Sequence, residues 1–431
     1  MHIWLWWACG PAGLRPHPPV GIGAMIIRRF LHWVRSAAAS ERARGAGALA
    51  RAYVAARLSP EERREAEAAL LSLLDDTSAA VRRAVARELG SELDIPRHLV
   101  LALARDQSDV AALVLARSPL LMASDLVDCV EAGDALAQTA VAVRPGLPLA
   151  VASALVAVGA PDALVALAEN HGAPLPEFLM HRMLDRHAKL PALREALLAR
   201  PGLPAAVRQR IAVAVAEQLT AFVARRRWLG MERAEGAARE SGERTVLTIA
   251  ATAPDEPSVA ALVRQLRQEG RLTPRLLLRG LLSGEERLFA GALAELAEVP
   301  PGRVAALAGD ERGRGREALL ERAGIPVALR PAFLVAWSAC RAYSGHRWEE
   351  GGPVGLFRPI LERVIAACAS RGDADGDALT ALLRRFEAEI AREEARGTAA
   401  RLAESAALGA LIEADRAVIE GQRSVSRPIA A

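Results

Sequence analysis

His181, Asp185 and His187 come nearest to a metal-binding arrangement in this chain. On a helix His181 and Asp185 stand at i and i+4 and share a face. His187 lies about 240° round the same helix from His181, so it cannot join them. The H-E-x-x-H spacing that brings two imidazoles together is also missing. The motif reads as a surface His–Asp pair. Asp373-Ala-Asp375-Gly-Asp377 begins like a calcium loop, but such a loop needs Gly at its sixth position and Glu at its twelfth, where this chain has Ala378 and Arg384. It reads as an acidic turn capping a helix that starts near Leu379. Gly309–Arg316 is glycine-rich, yet it has no Walker lysine and follows no predicted strand, so it does not cradle phosphate. Arg225-Arg226-Arg227-Trp228 offers a different chemistry: three guanidiniums for phosphates and an indole for stacking on a base. The plain alternative is that Trp228 packs back on the last repeat while the arginines stay in water. Glu232, Glu235, Glu240 and Glu243 follow and weaken the local field. No Ser–His–Asp, Cys–His or paired-carboxylate set can be assembled from spacing alone. The expectation is therefore no catalytic residue, no metal and no cofactor.

The elements that carry these residues are helical. Between Leu73 and Gly90 the chain reads LLDDTSAAVRRAVARELG, and weaker copies return downstream. Asp75-Asp76-Thr77-Ser78 ends one helix and starts the next. Val81, Val85 and Leu89 then fall on one face, with Arg82, Arg83 and Arg87 elsewhere on the surface, available to a partner. Gly90 is placed to end the helix. Upstream, Ser59-Pro60-Glu61-Glu62 predicts a capping box with proline at the first helical position. Asp106–Val110 and Pro201–Pro204 open further helices of the same kind. Val81 and Val110 are 29 residues apart, shorter than the ~40–47 of standard HEAT repeats, so the repeats are compact and irregular. The uncharged stretch Gly146–Pro161 is cut by Pro148 and Gly159 to ~10 helical residues, an interior helix rather than a membrane span.

Composition agrees. Hydrophobic residues are 52% of the 431, but aromatics only 4%, so the core is Ala, Leu and Val, which favours helices over sheets. With 55 basic against 51 acidic residues, the net charge of +4 argues against a dedicated nucleic-acid coat. Cys9, Cys129, Cys340 and Cys368 form no C-x-x-C pair, giving neither a zinc motif nor a disulfide framework and fitting a reducing cytoplasm. Residues 1–24 carry one charge, Arg15, and lack the basic start of a signal peptide. They read as a mis-called extension ahead of a start at Met25. Residues 25–58 hold seven Arg against Glu41. With Ile26, Ile27, Phe30, Leu31 and Val34 they read as basic amphipathic helices capping the repeats; peripheral contact of Met25–Val34 with an anionic membrane surface is the other reading.

The expected organisation is thus an all-α chain. An irregular HEAT-like solenoid spans 59–228 and a linker 229–244. A second helical domain follows at 245–343, a Gly-rich loop at 344–356 and a helical C-terminal tail at 357–431. In the tail Leu379, Leu383, Phe386 and Ile390 form one stripe, and Leu402, Leu408, Leu411 and Ile412 continue an apolar face, either as internal packing or as a dimer seam. Three segments resemble a bacterial helical-repeat family known as domain of unknown function 2336: MIIRRFLHWVR…ALARAYV, LLDDTSAAVRRAVARELG, and FAGALAELAEVPPGRVAALAGD…ALLERAGIP at 289–326. The resemblance runs from about Met25 to Tyr343. It implies HEAT-like architecture, favours Met25 as the start, and supplies no catalytic residues. The functional expectation is a non-catalytic cytoplasmic adaptor or scaffold with no transmembrane span, which binds protein partners through the solenoid surface. The alternative is a nucleic-acid-binding repeat protein using its Arg-rich segments.

Overall fold

The computed structural model describes residues 22–56, 58–228, 230–310, 313–343, 356–368 and 374–425. Among the described residues the chain is all-α, with 22 helices and no strand. It divides into two compact units, the first ending at Val207 and the second beginning at Arg208.

The first unit runs through α1 (Ile22–Val34), α2 (Ala39–Ala55), α3 (Pro60–Leu74), α4 (Ala79–Leu89), α5 (Arg97–Ala104), α6 (Ser108–Leu115), α7 (Ala123–Ala132), α8 (Ala135–Ala142), α9 (Leu149–Val158), α10 (Pro161–Glu169), α11 (Glu177–His187) and α12 (Pro191–Leu198). Its helices alternate between two rows. Each of α2, α4, α6, α8, α10 and α12 packs on the next of that set, while α1 packs on α3, α3 on α5, α7 on α9 and α9 on α11. The expected local signals hold. Ser59 Oγ accepts the Glu62 N–H at 3.3 Å, and the Ser59 N–H donates to the Glu62 carboxylate at 3.0 Å. Val81, Val85 and Leu89 are wholly buried, as are Val151 and Leu155 of the uncharged α9. The apolar face of α1 is turned inward, with Ile27 and Phe30 buried and Arg28 paired with Glu65 of α3 at 2.9 Å.

Arginine ties the two rows together in the early helices. Arg42, fourth in α2, donates from Nε and Nη2 to Asp76 at 2.8 Å each. Arg82, fourth in α4, does the same to Asp106 at 2.6 and 2.9 Å. Each Asp sits in the turn after a helix of the other row, and Asp76 also accepts the Ser78 N–H at 2.8 Å. The Arg42 guanidinium holds the Asp76 carboxyl below its usual range, against the opposing effect of burial and with help from the Ser78 N–H. A folded-state pKa below the unfolded value gives stability that is present above ~pH 4 and lost as pH falls through the folded value. Asp76→Asn is therefore expected to cost about 1–3 kcal/mol at neutral pH. Its stability should also fall less steeply between pH 5 and 2 (about the carboxylate range) than that of the parent. Urea unfolding across that range checks both; parallel pH curves would remove the ion pair from the account.

One glycine is fixed by a close approach. A Cβ on buried Gly159 would lie 2.3 Å from the Leu155 carbonyl oxygen, backbone that cannot give way. Gly159→Ala should lower stability by about 1–3 kcal/mol through this overpacking, read as a lower urea midpoint at unchanged slope.

The division between units falls upstream of the expected boundary at 228. Helix α13 (Ala205–Arg225) runs across it, and the 229–244 stretch is not a linker. Residues 231–244 are the first two-thirds of α14 (Met231–Ala251), whose Glu243 is buried. Their charge and glycine content gave the appearance of a linker, but Ala234 and Glu243 face inward. Then follow α15 (Glu256–Gln268), α16 (Pro274–Leu282), α17 (Glu286–Ala297), α18 (Pro301–Ala308), α19 (Arg314–Arg322), α20 (Arg330–Tyr343), α21 (Arg358–Cys368) and the long α22 (Ala374–Val425). Phe289 of α17 stacks on Phe333 and meets Trp337 edge-on, both from α20, at 5.9 and 4.9 Å between centroids. The stripe Leu379, Leu383, Phe386 and Ile390 is buried, and α22 packs on α21, so these residues are internal packing rather than a dimer seam. The side chains of Leu408, Leu411 and Ile412 lie outside the described residues, as does the 344–355 loop.

Candidate interaction surface

The structure separates the candidate arginines into two groups. Arg82 is committed to Asp106 and, through Nη1, to the Asp76 carbonyl at 2.6 Å; Arg83 is paired with Asp109. Arg87 is exposed. Arg225, Arg226, Arg227 and Trp228 are all exposed. They sit where α13 turns towards α14.

That turn has a defined geometry. The Trp228 N–H donates to the Val223 carbonyl at 3.3 Å and the Arg227 N–H to the Ala224 carbonyl at 3.1 Å, the paired bonds of a Schellman motif. Arg227 occupies its left-handed position with φ +54. Trp228 makes the apolar contact that accompanies such a cap, edge-on to Phe222 with centroids 5.5 Å apart, while the Arg226 guanidinium lies 5.5 Å from the same ring centre. Trp228 packs back on its own helix, yet it remains 67% exposed. Val215, Leu219 and Phe222, one stripe of α13 at i, i+4 and i+7, are exposed beside it, as is Met231. Sequence reasoning missed this stripe, because in an amphipathic helix the same spacing ordinarily marks the buried face.

A second set of exposed apolar side chains recurs in the first unit. Met122, Leu149 and Phe178 stand at the starts of α7, α9 and α11 and are 59%, 47% and 61% exposed. Met122 precedes α7, Leu149 is the first residue of α9 and Phe178 the second of α11, so the three mark the N-terminal ends of helices that pack in one row, α7 on α9 and α9 on α11.

The titratable clusters are structural. His181 faces Glu177 across 3.4 Å, and among the described residues no group of three or more His, Cys, Asp or Glu could hold a metal. The calcium-like Asp373 and the side chains of Asp375 and Asp377 lie outside the described residues. In 309–316, Asp310 accepts the Gly315 N–H at 2.9 Å, closing a turn into α19. Among the described residues, a strongly buried charge cluster that was also missed from sequence lies in the second unit. Arg279 of α16, 1% exposed, donates to Glu243 of α14 at 2.8 Å and, by two parallel bonds, to Glu389 of α22 at 2.6 and 2.7 Å. Burial lowers the Arg279 pKa, but the Glu389 and Glu243 carboxylates outweigh it and hold the group above its ordinary value. Arg275 reaches Glu243 at 3.1 Å, and Arg244 pairs with Glu240, Glu389 and Glu393. Every donor nitrogen of Arg279 is engaged, so the cluster fastens α22 and presents no free acid or base.

These features define an all-α protein whose exposed chemistry is apolar side chains and guanidinium groups. Residues 110–374, more than half of the chain, match the family described as an uncharacterised protein conserved in bacteria, domain of unknown function 2336, and the chain belongs to it. The 289–326 segment that carries the resemblance lies inside the matched span, whereas the two N-terminal segments lie before it. No curated protein and no solved structure matches the chain. No helix among the described residues is long and apolar enough to cross a membrane.

Proposed function

We propose that this protein is a non-catalytic adaptor of the bacterial cytoplasm that binds protein partners along a HEAT-like repeat surface. The observation that carries the reading is the recurrence of exposed Met122, Leu149 and Phe178 at the N-terminal ends of α7, α9 and α11. Isolated exposed apolar residues need no explanation, but their recurrence at the same end of helices packed in one row favours a partner that removes them from water. Two rows of short helices, each packed on the one two places on, support the repeat reading. Committing Arg82 and Arg83 to aspartates weakens the nucleic-acid alternative in this unit, since those cations are already neutralised. Cys129, Cys340 and Cys368 form no disulfide among the described residues, which fits a reducing compartment.

Affinity capture by the full chain from lysate of its bacterial source, with and without nuclease, tests this. The expected result is a defined protein that survives nuclease and is lost when Leu149 and Phe178 are changed to Asp. Capture that disappears with nuclease, or that ignores both substitutions, would overturn the reading.

A further inference from the structure

We infer that the turn from α13 to α14 is a docking site for an acidic amphipathic segment of a partner protein, an inference that rests on the adaptor reading and names a second surface for it. Val215, Leu219, Phe222, Trp228 and Met231 place five exposed large apolar side chains within one short stretch. Three exposed guanidiniums, Arg225, Arg226 and Arg227, stand beside them without a carboxylate partner among the described residues. Apolar anchors ringed by one sign of charge select a ligand that is apolar on one face and oppositely charged at its margin.

Other occupants fit less well. Phosphates would meet the arginines and a base could stack on Trp228, but Val215, Leu219 and Met231 would remain in water. The exposed Glu232 and Glu235 oppose an acidic ligand and an anionic membrane alike, so the charge attraction at the turn comes from Arg225, Arg226 and Arg227. Of the four glutamates after Trp228, Glu240 pairs with Arg244, and Glu243 is buried against Arg275 and Arg279. The local field at the turn is therefore more positive than the sequence implies.

The backbone adds an independent observation. Arg227 is held at φ +54, a left-handed conformation that among the described residues is shared by Glu298, whose carboxylate meets Arg267 at 3.3 Å, and is otherwise adopted by glycine, at Gly146, Gly202, Gly270, Gly284, Gly313 and Gly324. Glycine is the stable choice at this position of the cap, and a side chain kept there at a cost in backbone energy points to use of that side chain.

The test is site-specific crosslinking in the source bacterium, with a benzophenone amino acid at Met231 of the full chain and, separately, at Phe178. The expected adducts at Met231 are peptides with apolar residues at helical spacing and net negative charge. Their yield should fall at least about fivefold in Leu219→Asp, and also when Arg225, Arg226 and Arg227 are together changed to Glu, by loss of charge attraction. Arg227→Gly should raise Tm by about 2–4 °C while lowering the yield. Nucleic-acid or lipid adducts, peptides without net negative charge, or an Arg227→Gly yield equal to the parent's would overturn the proposal. Adducts at Phe178 but none at Met231 would remove this site and leave the adaptor reading standing; none at either position would remove both.

Discussion

Arg279→Met is expected to destabilise the second unit by about 3–5 kcal/mol, the cost of leaving buried charge without its partner. For a unit of this size that lowers Tm by on the order of 10 °C. The reason is geometric. Glu389 loses both of its parallel bonds at 2.6 and 2.7 Å and keeps only Arg244 at 3.5 Å, while Glu243 keeps Arg275 at 3.1 Å but loses its 2.8 Å partner. Phe386 also loses the guanidinium held 4.8 Å from its ring centre. Arg279→Lys should recover less than half, because one ammonium cannot reproduce the planar fork that serves two carboxylates. The double variant Arg279→Met/Glu389→Met removes both members and should be less damaged than the sum of its single changes by about 2 kcal/mol or more. Additive single effects would mean that the pair is not coupled. Since Glu389 lies on α22 beside Leu383, Phe386 and Ile390, the first structure lost should be the docking of α22. That would appear as protease cleavage within 379–393 at temperatures where the rest of the unit resists.

The uneven legibility of the fold follows from which interactions are local. Ser59 and Glu62 announced α3, and Val81, Val85 and Leu89 announced the buried face of α4, because a cap or a helical face is encoded within a few residues. The stripe Leu379–Ile390 was equally visible, but its partner was not, since nothing in the heptad-like spacing distinguishes packing on α21 from packing on a second chain. The 229–244 stretch misled for a related reason. Glu243 reads as a solvated charge until Arg279 and Arg275 are brought to it from about 30 residues downstream, a separation at which sequence spacing carries no geometry. At the candidate surface, Arg225–Trp228 was legible as a cluster of types. That Trp228 stays exposed, and that Leu219 and Phe222 join it, depends on which face of α13 the fold leaves uncovered.

The second large effect is expected at Arg200, which joins the end of α12 to the end of α10 in the first unit without using a carboxylate at all. Its Nη1 donates to the carbonyls of Ala168 and Asn170, and its Nη2 to that of Ala173, each at 2.9 Å. Those oxygens lie at the C-terminal end of α10, where the helix leaves carbonyls unpaired and carries partial negative charge. Burial alone lowers the Arg200 pKa. The group remains charged at any pH where the fold exists, because guanidinium titrates far above that range. The same device recurs one and two steps earlier along the row, after α10 and after α8. Arg144 serves the carbonyls of Leu115 and Ser118 at 2.5 and 2.6 Å, and Asn170 those of Ala142 and Arg144 at 2.8 and 2.7 Å, while Arg186 closes α9 through Val156 and Gly159 in the other row. The residues form a relay: the backbone oxygen of Arg144 receives Asn170, and that of Asn170 receives Arg200. Arg200→Met should therefore cost about 3 kcal/mol, since each hydrogen bond from a charged donor contributes about 1.5–3 kcal/mol and the freed carbonyls regain only part of that from water. Arg200→Lys should recover less than half of it. In double-mutant cycles Asn170 and Arg200 should couple by about 0.5 kcal/mol or more, while Arg144 and Arg200, which share no acceptor, should add. A loss below about 0.5 kcal/mol in Arg200→Met would show that the staple only decorates a register already set by packing. The expected loss would mean that the spacing of Met122, Leu149 and Phe178 depends on it. In that case Arg200→Met, which removes none of those three apolar side chains, would also weaken partner capture at temperatures below its own unfolding.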